Sequence, residues 1–126
     1  MTQKSIETIK FNDVEYVRKD SLPNTQPAET LDGLPYVIVR TYSAGVFAGY
    51  LKSRVGQEVV LLKARRLYQW VGSATLSQMA MEGTKNPSGC KFPMEVDSIL
   101  LLNAIEISNA TEVARKSIAS VTIWKN

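Results

Sequence analysis

Apolar and polar side chains alternate from Tyr36 to Tyr42, with Tyr36, Ile38, Arg40 and Tyr42 on one side and Val37, Val39 and Thr41 on the other. A period of two is the signature of a β-strand. Ser43-Ala44-Gly45 then turns the chain, Val46 to Arg54 reads as the return strand, Val55-Gly56-Gln57 turns it again, and Glu58 to Leu67 forms a third strand. Short turns between such runs predict an antiparallel meander. Gly49 inside the second strand marks a bulge or a close backbone approach. Ile99 to Ile107 is apolar on both faces except at Asn103 and Glu106, which predicts a fourth strand in a central position; Val121 to Trp124 reads as a short edge strand.

The spacing changes to helical in two places. Ser73 is a candidate N-cap ahead of Leu76, Met79 and Ala80, with Gly83 as the stop. Asn109-Ala110-Thr111-Glu112 reads as a capping box opening a second helix, whose inner face would be Ala110, Val113, Ala114 and Ile118, with Arg115 and Lys116 towards solvent. Between them, Lys85 to Val96 contains Pro87, Gly89 and Pro93 and reads as a loop. The predicted class is α+β: a bent antiparallel sheet, a partial barrel of about four to six strands, with two short helices.

Residues 1–34 differ from the rest. Ile6 to Val17 has room for two short strands with Asn12-Asp13 as the turn, and Ser21 to Gly33 is rich in Pro, Asn, Thr and Gln. Pro23 and Pro27 argue against helix or central strand there. We read 1–34 as an N-terminal arm and linker, a floppy leader or an arm that docks on a neighbouring subunit, and 35–126 as the core domain.

Composition narrows the chemistry. The 126 residues are 44% hydrophobic and 21% charged, as in ordinary globular domains. The longest aliphatic run, Ile99 to Leu102, is far short of a membrane span. Met1 to Lys10 has no apolar signal region, and Cys90 is the single cysteine, so a reducing cytoplasm is expected. There is no histidine, which removes the commonest general base and the commonest metal ligand. No phosphate-cradling glycine motif and no nucleophile elbow occurs. A net charge of +3 is mild for a duplex-DNA binder yet enough for a small anionic ligand.

The densest candidate chemistry is Lys63-Ala64-Arg65-Arg66-Leu67-Tyr68-Gln69-Trp70, running into Gly72-Ser73. Arginine forks grip phosphate in two places, a helix N-terminus favours anions, and Tyr68 or Trp70 has a face for a base. The competing reading makes Tyr68 and Trp70 core aromatics and Arg65 and Arg66 solvated strand ends. Lys85, Lys91 and Phe92 form a basic loop with an aromatic that closes over a ligand or plugs the core. Arg115-Lys116 reads as a solvated helix face and Cys90 as an incidental thiol. Asn103, an amide in an aliphatic strand, must bond local backbone, an interface or a ligand.

From Tyr36 to Trp124 the chain resembles a family of small bacteriophage proteins. The likeness rests on Tyr36-Val-Ile-Val-Arg-Thr-Tyr-Ser-Ala-Gly-Val-Phe-Ala-Gly49, Ala64-Arg-Arg-Leu-Tyr-Gln-Trp70, Leu76-Ser-Gln-Met-Ala80, Cys90-Lys-Phe-Pro93 and Ile123-Trp124. It covers most of the core and not residues 1–34, where Tyr16 to Ser21 is similar to phage leaders. The family it resembles includes the first type of Thoeris anti-defence protein, a phage-encoded sponge. The resemblance implies a non-enzymatic homo-oligomer, a dimer or dimer-based assembly, in the host bacterial cytoplasm. It would hold cyclic nucleotide immune signals, cyclic ADP-ribose isomers or cyclic oligonucleotides, in interface pockets without cleaving them. On this reading Arg65, Arg66 and Arg115 meet phosphates, Phe92 or Trp70 meets a base, Asn103 reads a polar group, and Arg40 and Lys91 complete the ligand-binding set. No cofactor, metal or membrane is expected, and nucleic-acid binding is the alternative.

Overall fold

The computed structural model describes residues 9–10, 13–14 and 26–125. Strands β1 (Ile9–Lys10) and β2 (Asp13–Val14) pair antiparallel, Lys10 facing Asp13, so Asp13 belongs to a strand rather than the turn. The remainder of the Ile6 to Val17 expectation lies outside the described residues.

The meander is as the alternation predicts: β3 (Tyr36–Thr41), β4 (Val46–Val55) and β5 (Glu58–Arg66). The fourth strand is not. Ile99 to Ile107 is divided between β6 (Val96–Leu101) and β7 (Ala104–Asn109), which occupy opposite edges of a five-stranded sheet ordered β6-β5-β4-β3-β7. The break falls at Leu102-Asn103, where the Tyr42 N–H donates to the Asn103 carbonyl (3.0 Å) and the Ala104 N–H to the Gln57 carbonyl (3.0 Å). The break resets the alternation. Leu101 and Ala104, three residues apart, enter the same core, which an unbroken strand would forbid. A run that is apolar on both faces thus reflects a kinked strand bordering both ends of the sheet.

That connection bends the sheet. Flat, five strands would hold their outer members about 19 Å apart, four spacings of about 4.8 Å. Three extended residue steps from Leu101 to Ala104 reach only about 11 Å. The sheet must curl into an open half-barrel. Its concave side buries Val37, Val39, Phe47, Val59, Leu61, Leu101 and Ala104. Its other side buries Tyr36, Ile38 and Ala48 against Met79, Phe92, Ala114 and Ile118. β3 and β4 both have core on both faces and are shared between the two.

Helices α1 (Leu76–Glu82) and α2 (Glu112–Ser120) are each capped two residues later than expected. Thr75 and Thr111 accept from Gln78 N and Ala114 N (3.1 Å each). Ser73 instead donates to the Thr75 carbonyl, and Asn109 is still in β7, paired with Val37. Val113, expected inward, is exposed; Ala114 and Ile118 carry the inner face. The loop after α1 holds a short 3-10 turn, Pro87–Gly89. Val121 to Trp124 makes one parallel bridge, Ile123 to Phe92, instead of an edge strand. Within the predicted linker, Gln26 and Ala28 bond to Glu112 and Ala110, so this segment packs on the start of α2. Among the described residues no helix is long and apolar enough to cross a membrane.

Gly83 ends α1 at φ 74°, ψ −154°, a conformation nearly reserved for glycine, and a Cβ there would lie 2.4 Å from Ser117 Cβ of α2. Gly83→Ala is expected to destabilise the domain by about 1–3 kcal/mol, read as a lower midpoint in urea; an unchanged midpoint would refute this account of the α1–α2 contact.

Candidate functional site

A cavity of about 380 Å³ opens between the helix-facing side of the sheet and α2. Tyr36 and Tyr50, directly paired across β3 and β4, form one wall, their rings edge-to-face at 5.0 Å. Lys63 and Arg65 reach it from β5, Glu95 from the residue before β6, and Arg115, Ile118 and Ala119 from α2. Val121 and Ile123 of the C-terminal segment complete the lining. Three cations and two phenols therefore share the space with one carboxylate.

Arg65 enters from a β-bulge. Ala48 pairs with Arg65 and Tyr50 with Leu62, so Gly49 alone faces both Lys63 and Ala64. Lys63 adopts φ 50°, and a Cβ on Gly49 would lie 3.0 Å from the Leu62 carbonyl oxygen. The glycine is there because the bulged strand comes that close.

The three cations are not equivalent. Arg65 is 8% exposed and donates Nε to the Pro93 carbonyl (3.0 Å), Nη1 to Ile118 (2.8 Å) and Nη2 to Phe92 (3.2 Å) and Val121 (2.7 Å). Four of its five N–H donors are thus held by the protein's own carbonyls. Burial lowers its pKa, while Tyr36 and Glu95 oppose that shift. Arg115 forms a two-pronged pair with Glu112 (Nε–Oε1 2.9 Å, Nη2–Oε2 2.5 Å) and lies 3.6 Å from Glu29 Oε1. Lys63 makes no salt bridge among the described residues. It is the cation with its charge uncommitted.

Tyr36 is the other unspent group. It is 8% exposed, and its hydroxyl has no hydrogen-bond partner among the described residues. Burial, then Tyr50 and Glu95, raise its pKa well above the ordinary phenol value, so it stays a donor. A buried hydroxyl without a partner is uncommon, and here it borders the cavity.

Of the eight residues expected from sequence, Arg65 and Arg115 come together here. Arg66 is on the concave side, over Phe47 at 4.7 Å, beside a second hollow of about 260 Å³. Arg40 pairs with Glu106 across β3 and β7 (Nε–Oε1 3.0 Å). Asn103 donates to Ser43 Oγ (2.8 Å) at the β6–β7 break. Phe92 is fully buried, Trp70 packs against the same core, and Lys91 lies outside the cavity. Sequence reasoning missed Tyr36, Tyr50 and Glu95 as cavity residues, and named Lys63 only as the start of the dense basic segment without giving it a ligand role. The one available signal was Lys63, a charge interrupting an otherwise apolar alternation. Among the described residues no group of three or more Cys, Asp and Glu is gathered to hold a metal ion.

This is an α+β half-barrel with a cation-and-tyrosine cavity beneath its second helix. A family model described as "Domain of unknown function (DUF6948)" matches residues 34–118, and the chain belongs to that family. The match contains every cavity residue from Tyr36 to Ile118 and stops short of Ala119, Val121 and Ile123. No curated protein and no solved structure matches the chain.

Two outcomes follow from the ion chemistry. Arg65→Ala strands several buried carbonyls, so it should lower unfolding free energy by about 3–5 kcal/mol, measured in urea; weaker ligand binding with an unchanged midpoint would contradict the structural role. Glu112 is held down to about 2, from 4.5, mainly by the Arg115 bonds and then by the Glu29 N–H. A depressed carboxyl contributes stability that is complete above its unfolded pKa and lost as pH falls through its folded one. Thermal stability should therefore fall between pH 4.5 and about 2, and Glu112→Gln should flatten that part of the curve.

Proposed function

We propose that this protein is a non-catalytic binding protein that sequesters a small phosphate-bearing ligand of the cyclic-nucleotide class. The observation that carries the reading is the cavity beneath α2, where Lys63 and the buried Tyr36 hydroxyl have donors unspent beside Arg65 and Arg115. Its volume, about 380 Å³, is at the small end of ordinary ligand sites, which suits one small molecule and not a polymer. Lys63 supplies the point charge for a phosphate, Tyr36 a neutral donor, and the Tyr50 ring an apolar face. The remaining Arg65 Nη1 donor adds a further bond. Glu95 favours a ligand that also brings hydroxyls, as a ribose does.

The cyclic nucleotide itself, the phage anti-defence role, the dimer-based assembly and the host cytoplasm come from the family resemblance and are part of the proposal. Trapping without cleavage suits the residues present: there is no histidine, the single thiol is buried, and one carboxylate lines the site.

The test is calorimetry with a cyclic ADP-ribose isomer and a cyclic dinucleotide, with chelator present, followed by boiling and mass spectrometry. We expect stoichiometric binding and recovery of intact ligand. Lys63→Ala should weaken binding by about 1.5–3 kcal/mol, the usual cost of losing a bond to a charged group, with little change in thermal midpoint. Linear product accumulating over many turnovers, or unaltered affinity in Lys63→Ala, would overturn the proposal.

A further inference from the structure

Away from the cavity, two aromatic rings are stacked in the open. Tyr68, just past β5, and Trp124, near the C-terminus, lie parallel within 5° at a centroid distance of 5.2 Å. Tyr68 is 60% exposed and Trp124 43%. Large aromatics normally contribute most when buried, so a pair held coplanar with this much surface in water is a feature to explain. Its backbone supports are fixed. Gln69 and Lys91 exchange two hydrogen bonds (3.2 and 2.8 Å), and the Trp124 N–H donates to the Phe92 carbonyl (3.0 Å).

A cation borders the stack. Lys91 Nζ lies over the Trp124 ring at 5.5 Å. Arg66, two residues before Tyr68, is exposed too, but its guanidinium lies over Phe47 on the concave side and not at the stack. Rings with exposed surface, bordered by positive charge, are the arrangement by which proteins hold single-stranded nucleic acid: bases continue the stack and phosphates meet the cation.

We infer that the Tyr68–Trp124 stack, with Lys91 beside it, is a binding platform for a short single-stranded nucleic acid segment. It is separate from the cavity and independent of what the cavity binds. A duplex, whose bases are already stacked on one another, offers no free base to this surface.

Trp70 and Trp124 are the two tryptophans of the chain, so the full-length Trp70→Phe protein reports on Trp124 alone. We would titrate it with a twelve-residue oligothymidylate, the same length of duplex, and thymidine monophosphate. The single strand should quench Trp124 emission saturably, with an affinity that falls as salt rises. Tyr68→Leu should weaken it about 10-fold, within the range of one lost base stack, while Tyr68→Phe keeps the ring and the affinity. Lys91→Ala should lower both affinity and salt slope. Adding the cyclic nucleotide in excess should leave the quenching unchanged. Absence of quenching by the single strand, equal binding of duplex or monophosphate, displacement by the cyclic nucleotide, or loss of binding in Tyr68→Phe would each overturn the inference.

Discussion

Everything on the helix-facing side of this domain hangs on Arg65. A guanidinium has a rigid planar fork, and this one is closed on carbonyls from three separate places: Phe92 and Pro93 in the loop before β6, Ile118 in the last turn of α2, and Val121 just after it. A cation at a helix C-terminus meets the negative end of the helix dipole and carbonyls that the helix itself leaves unpaired. Lysine could not replace it, because a single ammonium cannot span partners so far apart in direction. The Phe92 carbonyl accepts from both Arg65 Nη2 and the Trp124 N–H. One side chain therefore fixes the wall of the cavity and, through a shared acceptor, the seat of the exposed aromatic stack.

The sequence made the β3–β4–β5 meander legible because each run alternates and each turn is short. It did not reveal that Ile99 to Ile107 was two strands. An aliphatic run looks the same whether it is buried on both faces or broken between two edges, and Asn103, which marks the break, bonds Ser43 in a way no pattern announces. Helix ends were displaced for a related reason. Ser73, Thr75, Asn109 and Thr111 are all competent caps, and at α2 the choice was made by β7 extending to Asn109.

The cavity was half-legible. Arg65 and Arg115 were picked for the right chemistry, but much of that chemistry is turned inward, on carbonyls and on Glu112. The residues with donors still unspent, Lys63 and Tyr36, sit on different strands and meet only because β4 pairs with both β3 and β5. Periodicity reports which face a residue takes along one strand. It carries no information about which strands become neighbours, so convergence of this kind lay outside its reach.

The bulge opposite Gly49 explains why a left-handed lysine is tolerated in the middle of β5. Val59 and Leu61 face the concave core, and strict alternation would send Lys63 and Arg65 after them. Two charges would then enter an apolar half-barrel without partners, at a cost of several kcal/mol each. One extra residue changes the phase. Ala64 takes the concave position, while Lys63 and Arg65 both line the cavity on the opposite side. The strain of a non-glycine residue at positive φ is of order 1–3 kcal/mol, smaller than the desolvation it avoids. Gly49 makes the shift sterically feasible by bringing no Cβ to the Leu62 carbonyl and the Ala64 backbone. The bulge thus comes first in the order of causes: it turns Arg65 towards α2, Arg65 anchors the loop and the end of that helix, and the cavity is the space left between them.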